Sequence, residues 1–514
     1  MFNKKLLNII GYVLLFLGIS MLFSALWSYY YKEFQALDAI IKSFLFTSSI
    51  GLILILLTQF QLKRYFPFFT LKNREKIELS HSDGYILVTL SWVLMGIFSA
   101  LPFYFYGGAF ESYIDCFFES ISGLTTTGAS IMESVEIETY NNTAKGLMFW
   151  RSFTHFIGGI GIIVFSIAIL PLLGFGGVQL FRAEVAGPVA DKLTPRVKQT
   201  AKLLWGIYIG LIFAETIVLM VEGISFYDSL THSFATMATG GFSNYGDSIS
   251  GLSNSVSIPS IVEYTIIFFM ILAATSFSLH FFAFRKGKFE YFKDQEFKIY
   301  IFIIALFLII FFTDNFISNF VVTGKTFEEG FRESLFASVS LLTTTGFSNA
   351  DYESWGSASQ TMVFILLFIG GCAGSTTGGI KIIRTILVFK FLIRELKKLI
   401  HPKGVFHIKI GEKKISEEIV NNTVGFYLFY IFIFVFASII FVIIGENKLD
   451  FTTSLSASAS AIGNIGPGLG SIGPTDNWDI VGTAGKILAT FLMILGRLEI
   501  FTVMLLFSGG FSKR

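Results

Sequence analysis

The sequence predicts an all-α membrane protein with ten transmembrane helices. Four tandem helix–pore loop–helix repeats form a pseudo-fourfold arrangement, and two further helices precede them. Three observations predict this fold. Apolar residues make up 53% of the 514 residues and charged residues only 14%, against about 25% charged residues in a soluble domain. Long apolar runs recur along the chain, and four polar–apolar segments that end in Gly, Thr or Asn lie between them.

Composition excludes several classes of protein. So few charges cannot cover a water-exposed surface, which excludes a cytosolic enzyme, a disulfide-stapled secreted domain and a nucleic-acid-binding protein. The net charge of +2 implies no bulk electrostatic partner. Cys116 and Cys372 lie far apart in apolar segments and form no metal motif. The apolar run after Lys4 and Lys5 is long and lacks an evident cleavage site, so it is interpreted as the first span.

Ten segments are long enough to span a bilayer, which takes about 20 apolar residues. They are residues 7–31, 37–60, 84–106, 147–173, 201–222, 259–284, 297–318, 358–394, 422–445 and 483–509. Four other segments are too polar to span and too apolar for ordinary loops, namely residues 112–131, 226–242, 328–347 and 451–469. Each is predicted to be a re-entrant half-helix followed by extended chain, which is tolerated at membrane depth where it lines a watery cavity.

Basic residues predict the orientation of these spans. With both termini in the cytoplasm, 29 of the 38 Lys and Arg residues fall in inside segments and five in outside loops. This is the positive-inside pattern, and it holds only if the four re-entrant segments enter and leave on the outer side. The sequence thus predicts a multi-pass protein of the cell (inner) membrane with both termini cytoplasmic.

The four re-entrant segments end in related sequences. The ends are LTTTGA at 124–129, TMATGGF at 236–242, LTTTGF at 342–347 and IGNIGPG at 462–468. Aligned on glycines 128, 240, 346 and 466, the repeats are 112, 106 and 120 residues apart. The predicted units are a two-helix extension at 1–75 and pore repeats at 76–195, 196–290, 291–415 and 416–514.

The aligned ends predict a cation filter. Gly permits extended backbone whose carbonyl oxygens face a pore, and such oxygens replace the hydration shell of a cation. A single Thr-Thr-Thr-Gly is more often a helix end followed by a turn, but four in phase favour a filter. The predicted filter residues are Thr125, Thr126, Thr127, Gly128, Ala238, Thr239, Gly240, Gly241, Thr344, Thr345, Gly346, Phe347, Asn464, Ile465, Gly466 and Pro467.

The 358–394 span predicts a break. Its 37 residues would extend about 55 Å as a continuous helix, whereas the hydrocarbon layer is about 30 Å thick. Residues 370–379 contain five glycines, each costing about 1 kcal/mol in a helix interior. An unwound loop could block the pore below the filter. The residues alone leave close helix packing equally open.

Arg497 lies within the last span, and an intramembrane Arg suggests a function. It is predicted to hold the loop closed through hydrogen bonds to the loop carbonyls, with a buried ion pair as the alternative. The predicted gate residues are Gly370, Gly371, Gly374, Ser375, Thr376, Thr377, Gly378, Gly379, Lys381 and Arg497. For His155 and Glu215, which are also intramembrane, packing is predicted rather than ion binding.

The block GGCAGSTTGGIK at 370–381, with FWRS at 149–152, NIGPG at 464–468 and GRLE at 496–499, resembles the TrkH family of bacterial potassium-uptake proteins. This family lies within the TrkH/TrkG/KtrB/HKT superfamily, and the two additional N-terminal spans resemble TrkH rather than the shorter KtrB. The resemblance implies potassium uptake and favours the gate over helix packing. It implies potassium ligands at Thr126, Thr127, Ala238, Thr239, Thr344, Thr345, Asn464 and Ile465.

The resemblance also implies partners. It predicts a homodimer among membrane lipids and a cytosolic TrkA-type nucleotide-binding ring as the regulatory subunit. The chain has no Walker A run, so ATP, ADP or NAD is expected only on that partner. Glycine at all four aligned positions favours potassium over sodium. The alternatives are a sodium- or proton-coupled cation symporter of the same fold and, more remotely, a membrane-embedded enzyme, although no catalytic cluster is present and no enzyme is predicted.

Overall fold

The computed structural model describes residues 4–59, 81–168, 197–287, 289–323, 325–411, 413–445 and 448–504. Its helices are Lys4–Tyr30, Phe34–Gln59, His81–Ser99, Leu101–Tyr106, Tyr113–Leu124, Ser134–Thr143, Lys145–Ala168, Val197–Val221, Phe226–Ala238, Ile249–Ser253, Pro259–Ala273, Phe277–Lys286, Phe289–Lys293, Gln295–Thr323, Phe327–Leu342, Ser357–Leu366, Ile382–Ile400, Glu417–Ile444, Phe451–Gly463, Gly482–Arg497 and Ile500–Met504. Short 3₁₀ turns are Tyr352–Ser354 and Trp478–Val481, and an antiparallel hairpin pairs Lys409–Ile410 with Lys413–Lys414.

Within the described residues, seven helices are long and apolar enough to cross a membrane. They are Leu6–Tyr30, Phe34–Thr58, Gly84–Tyr106, Ala201–Val221, Gln295–Asn315, Glu417–Ile444 and Trp478–Arg497. The predicted 147–173 span is helical as far as Ala168, and residues 169–173 lie outside the described residues. The chain is therefore a mostly helical, multi-pass membrane protein. The count of ten spans stays a prediction.

Two of the predicted spans are not continuous helices. The 358–394 segment is interrupted between Leu366 and Ile382, where a break was expected. The 259–284 segment was predicted as one span, and the structure corrects this because Pro259–Ala273 and Phe277–Arg285 meet at 96°. A contact across the break accompanies this bend: His280 Nε2, in the second helix of the pair, lies 2.9 Å from the Leu272 carbonyl oxygen in the first.

Each re-entrant segment begins with a short helix, here called pore helices one to four: Tyr113–Leu124, Phe226–Ala238, Phe327–Leu342 and Phe451–Gly463. Each starts with a side-chain cap, which satisfies one backbone N–H that the helix leaves free. The caps are Ser112, Ser225, Thr326 and Asp450, and each accepts the N–H three residues later. These helices lie in the core; ten of the 13 residues of pore helix two are buried.

A buried ion pair joins pore helix one to the helix Gly482–Arg497. Lys486 Nζ lies 2.6 Å from Asp115 Oδ1 in pore helix one, and the two side chains are 6% and 9% exposed. The same ammonium group contacts Asp479 at 2.6 Å. Pore helix one also packs against Gly482–Arg497, the helix that carries Lys486. The first and last parts of the pore region are therefore fastened together.

We predict that Lys486→Met lowers the free energy of unfolding by about 3 kcal/mol, because it leaves the Asp115 carboxylate buried and without its cation. Thermal unfolding in detergent measures this as a fall in Tm. Lys398→Met is the control: its pair with Glu395 is 41% and 42% exposed and is worth less than about 1 kcal/mol. Equal shifts for both variants would contradict the assigned role of the buried pair.

Candidate functional site

The four pore helices end in the same backbone conformation. One or two residues after the end of each helix, the φ angle is positive. It is 51° at Thr126, 55° at Thr239, 52° at Thr344 and 54° at Asn464. Two residues later Gly128, Gly241, Gly346 and Gly466 have φ angles of 77°, 82°, 76° and 101°. L-residues rarely adopt this conformation, so its recurrence at four matching positions aligns the loops independently of their sequences.

This alignment corrects the second loop by one residue. Gly241, not Gly240, matches the other three glycines, and the separations become 113, 105 and 120 residues. Gly240 corresponds instead to Thr127, Thr345 and Ile465. The positions of Thr126 and Thr127 are accordingly filled by Thr239 and Gly240, rather than by Ala238 and Thr239. Two consecutive glycines hide this register in the sequence, whereas the backbone angles distinguish them.

The four loops contact one another in a closed ring. A Cβ atom on Gly128 would lie 2.0 Å from the Gly240 carbonyl oxygen, and one on Gly241 would lie 2.1 Å from that of Thr345. A Cβ on Gly346 would lie 1.9 Å from the Ile465 oxygen, and one on Gly466 would lie 2.6 Å from the Thr127 oxygen, which returns to the first loop. No side chain fits at these positions, so glycine is required at each.

Side chains behind the loops fix their shape. Thr125 and Thr127 hydroxyls lie 2.7 Å apart, and those of Thr343 and Thr345 lie 2.8 Å apart. Asn464 Nδ2 donates to Thr127 Oγ1 at 3.0 Å, which links the fourth loop to the first. These hydroxyl groups are therefore engaged with one another.

Serines of pore helices three and four hold the chain at or just after the glycine of their own loops. Ser340 Oγ donates to the Phe347 carbonyl oxygen at 2.6 Å, and Ser460 Oγ donates to that of Gly466 at 2.9 Å. Phe347 is 2% exposed, so its ring lies in the core. The Cδ atom of Pro467 lies close to Gly346, 2.8 Å from where a Cβ would be.

A buried ion pair that sequence reasoning missed supports the first two loops. Arg151 Nε lies 2.7 Å from Glu119 Oε1, with side chains 3% and 0% exposed. Glu119 also accepts the Ile131 N–H at 3.2 Å, and Arg151 Nη1 donates to the Ser243 carbonyl oxygen at 2.9 Å. The pair thus fixes both chain segments that follow loops one and two. Carboxylates within pore helix one, which is short and mostly apolar, were the available signal.

Two further intramembrane titratable residues, His155 and Glu215, lie outside the ring. His155 Nε2 accepts the Phe242 N–H at 3.2 Å, and Nδ1 lies 2.8 Å from the Gly123 carbonyl oxygen. This imidazole therefore packs between loops one and two, as predicted. Glu215 is fully buried in the helix Val197–Val221.

A cavity of about 740 Å³ opens above the ring and is lined by Gly128, Gly241, Gly346 and Gly466 together with Asp476 and Arg151. In the chain segments that follow loops three and four, the Glu353 carboxylate accepts the Gly470 N–H. Burial raises the pKa of this Glu353 carboxyl. Among the described residues, no group of three or more His, Cys, Asp and Glu side chains is placed to hold a metal ion.

The interruption after Leu366 forms a Gly-rich loop, residues 367–381, at the ends of the pore helices. Its base is closed by backbone hydrogen bonds, Gly370 N–H to the Ile380 oxygen at 2.9 Å and Ile380 N–H to the Phe368 oxygen at 3.0 Å. Its tip contacts two filter loops. Thr376 Oγ1 donates to the Met237 carbonyl oxygen at 3.0 Å, and the Gly378 N–H donates to Thr344 Oγ1 at 2.7 Å.

Arg497 holds the tip of this loop from below. Its Nη1 donates to the Thr376 carbonyl oxygen at 2.6 Å, and the residue is 3% exposed. Across the described part of the chain no carboxylate lies within ion-pair distance of Arg497. Glu499 pairs instead with Arg384 at 2.8 Å. Lys381 Nζ donates to Thr377 Oγ1 at 2.8 Å and also contacts the Thr377 carbonyl oxygen.

Comparison with known proteins identifies the family. A family model described as "TrkH: Cation transport protein" matches residues 55–513. The chain belongs to the TrkH family. This family consists of transport proteins, which confirms the prediction that the chain is not an enzyme.

Several TrkH-family relatives match over most of their length. "Trk system potassium uptake protein TrkH" of Vibrio parahaemolyticus is 35% identical over 99% of both chains. The protein of the same name in Halomonas elongata is 37% identical over 86% of this chain and 89% of that one. "Trk system potassium uptake protein TrkG" of Escherichia coli is 34% identical over 86% and 87%.

A solved TrkH-family structure superimposes on the whole chain. The structure titled "Crystal Structure of the Potassium Transporter TrkH from Vibrio parahaemolyticus" matches with a TM-score of 0.85 at 32% identity, covering 100% of each chain. The agreement extends to the N-terminal helices, which confirms the resemblance to TrkH that the sequence motifs indicated.

Proposed function

We propose that this protein takes up potassium ions across the cytoplasmic membrane through a selectivity filter formed by its four loops. The observation that carries the proposal is the closed ring, in which each glycine packs against a carbonyl oxygen of the next loop. Four loops in equivalent conformations surround one axis, as an ion pathway requires. The relatives named as potassium uptake proteins support potassium as the ion.

The filter ligands are the backbone carbonyl oxygens at equivalent positions of the four loops. In the register set by the backbone angles these are Thr126 and Thr127, Thr239 and Gly240, Thr344 and Thr345, and Asn464 and Ile465. Hydroxyl groups of Thr127 and Thr345 bond to neighbouring hydroxyls, and we assign the ligand role to the carbonyl oxygens. Oxygen ligands of this kind suit an alkali cation, which must exchange its hydration shell for them.

The Gly-rich loop is the gate of this pore. Contacts from Thr376 and Gly378 to the ends of pore helices two and three place it against the filter. Arg497 holds it there through the Thr376 carbonyl oxygen. The buried guanidinium group, without a carboxylate partner among the described residues, also opposes the passage of cations. Movement of the loop and of Arg497 away from the axis opens the pore.

The remaining architecture follows the same proposal. Four units, residues 76–195, 196–290, 291–415 and 416–514, surround the pore, and residues 1–75 extend the first of them. Both termini lie in the cytoplasm, in line with the distribution of basic residues. Two copies form a homodimer, and a cytosolic TrkA-type nucleotide-binding ring sets the position of the gate. The name "Trk system" of the relatives supports an assembly of several components.

We predict that the protein, expressed with a matched regulatory partner, restores growth of potassium-uptake-deficient cells at limiting potassium.

Gly346→Ser lowers the preference for potassium over sodium several-fold, because the added side chain displaces the Ile465 carbonyl oxygen. Uptake of each ion is measured in the same cells. Gly425→Ser is the control, since no atom lies within 4 Å of a Cβ there. No rescue by the wild-type chain, or an unchanged ion ratio for Gly346→Ser, would contradict the filter.

Arg497→Ala is expected to raise potassium flux through the protein in liposomes. It removes one charged hydrogen bond to the loop, worth about 1.5–3 kcal/mol, so the open fraction rises by about tenfold or more. Arg394→Ala is the control, since Arg394 is also buried but pairs with Glu417. Flux and gating that stay the same after Arg497→Ala would remove this residue from the gate.

A further inference from the structure

A second charged residue contacts the Gly-rich loop, in its middle and just beyond its C-terminal end. Glu296, at the start of the helix Gln295–Thr323, is 5% exposed. Its Oε1 atom accepts the Ala373 N–H at 2.9 Å and the Ile383 N–H at 3.0 Å. These donors lie on opposite sides of residues 374–382. One carboxylate oxygen therefore joins the chain entering the tip of the loop to the chain leaving it.

The Ile383 contact lies at a favourable place for a carboxylate. Ile383 belongs to the first turn of the helix Ile382–Ile400, where backbone N–H groups have no partner inside the helix. A negative charge is stabilised at this end by the helix dipole. Glu296 thus satisfies a free donor of this helix and fixes the start of the helix relative to the loop.

The bend between the helices Pro259–Ala273 and Phe277–Lys286 holds the same part of the loop. The Cys372 N–H donates to the Ala274 carbonyl oxygen at 2.9 Å, and the Phe277 N–H donates to the Gly374 carbonyl oxygen at 3.1 Å. Both partners are backbone groups that the 96° bend at residues 274–276 removes from normal helix bonding. Residues 372–374 are consequently fixed on one side by the bend and on the other by Glu296.

We propose that Glu296 is a positioning residue that keeps the Gly-rich loop in its closed place. The inference rests on the proposed gating role of the loop. Arg497 restrains the tip at Thr376, whereas Glu296 restrains the chain before and after the tip. Residues 372–374 cannot leave the bend while the carboxylate bridges Ala373 to Ile383. Releasing the loop therefore requires that these two hydrogen bonds break.

The two cysteines of the chain provide the test. Cys372 lies in the loop and is 2% exposed, whereas Cys116 lies in pore helix one and is 1% exposed; they are the only cysteines present. We predict that Glu296→Ala raises the rate of Cys372 alkylation by N-ethylmaleimide about tenfold and leaves that of Cys116 unchanged. Glu296→Gln, which keeps one acceptor oxygen, gives a smaller increase. Potassium flux into liposomes is measured on the same preparations.

Glu290→Ala is the matched control, because Glu290 lies six residues before Glu296 and its carboxylate pairs with Lys293 at 2.6 Å. An unchanged rate for Cys372 in both Glu296 variants overturns the proposal. An equal rise at Cys116 and Cys372 in both variants also overturns it, since it shows general loss of structure. Faster Cys372 alkylation without any change in flux leaves Glu296 as the positioning residue and instead contradicts the proposed gate.

Discussion

Contact of backbone on backbone among four loops is the constraint on which the rest of the structure depends. Each loop presents a glycine to a carbonyl oxygen of the next one, at distances that leave no room for a Cβ atom. Such contacts have little tolerance for displacement, so each loop must be held from behind. The capped pore helices, the serines that bind the loop carbonyls and the buried pair of Arg151 and Glu119 all serve this purpose.

The helices that follow the four loops, here called the inner helices, pack beside the ring in two ways. In the first and fourth units a glycine, Gly158 or Gly496, packs against the carbonyl oxygen at the end of a pore helix. Gly158 lies inside the helix Lys145–Ala168, whereas Gly496 lies one residue before the end of the helix Gly482–Arg497. In the second and third units the helix is broken instead, and the two breaks bond to each other through Cys372 and Phe277. The Gly-rich loop and the bend at residues 274–276 are therefore joined directly to each other.

The sequence was sufficient to locate the four loops and the interrupted helix, because repeats in phase and five clustered glycines are local signals. The sequence was not sufficient to fix the register of the second loop, because the consecutive glycines Gly240 and Gly241 are distinguished only by their backbone angles. The bend at residues 274–276 was missed because hydropathy reports apolar length, whereas two backbone hydrogen bonds at the bend come from residues 372 and 374, about a hundred positions away. Glu296 was missed because its partners, the backbone N–H groups of Ala373 and Ile383, are also distant in the sequence.

The most direct test of the central claim is to locate the ion. A structure determined in rubidium, with anomalous scattering used to identify the ion, should show density on the axis of the ring. We predict peaks between the carbonyl oxygens of Thr127, Gly240, Thr345 and Ile465, and their loss when sodium replaces rubidium. An axis without rubidium density, or rubidium bound only away from the four loops, would contradict it.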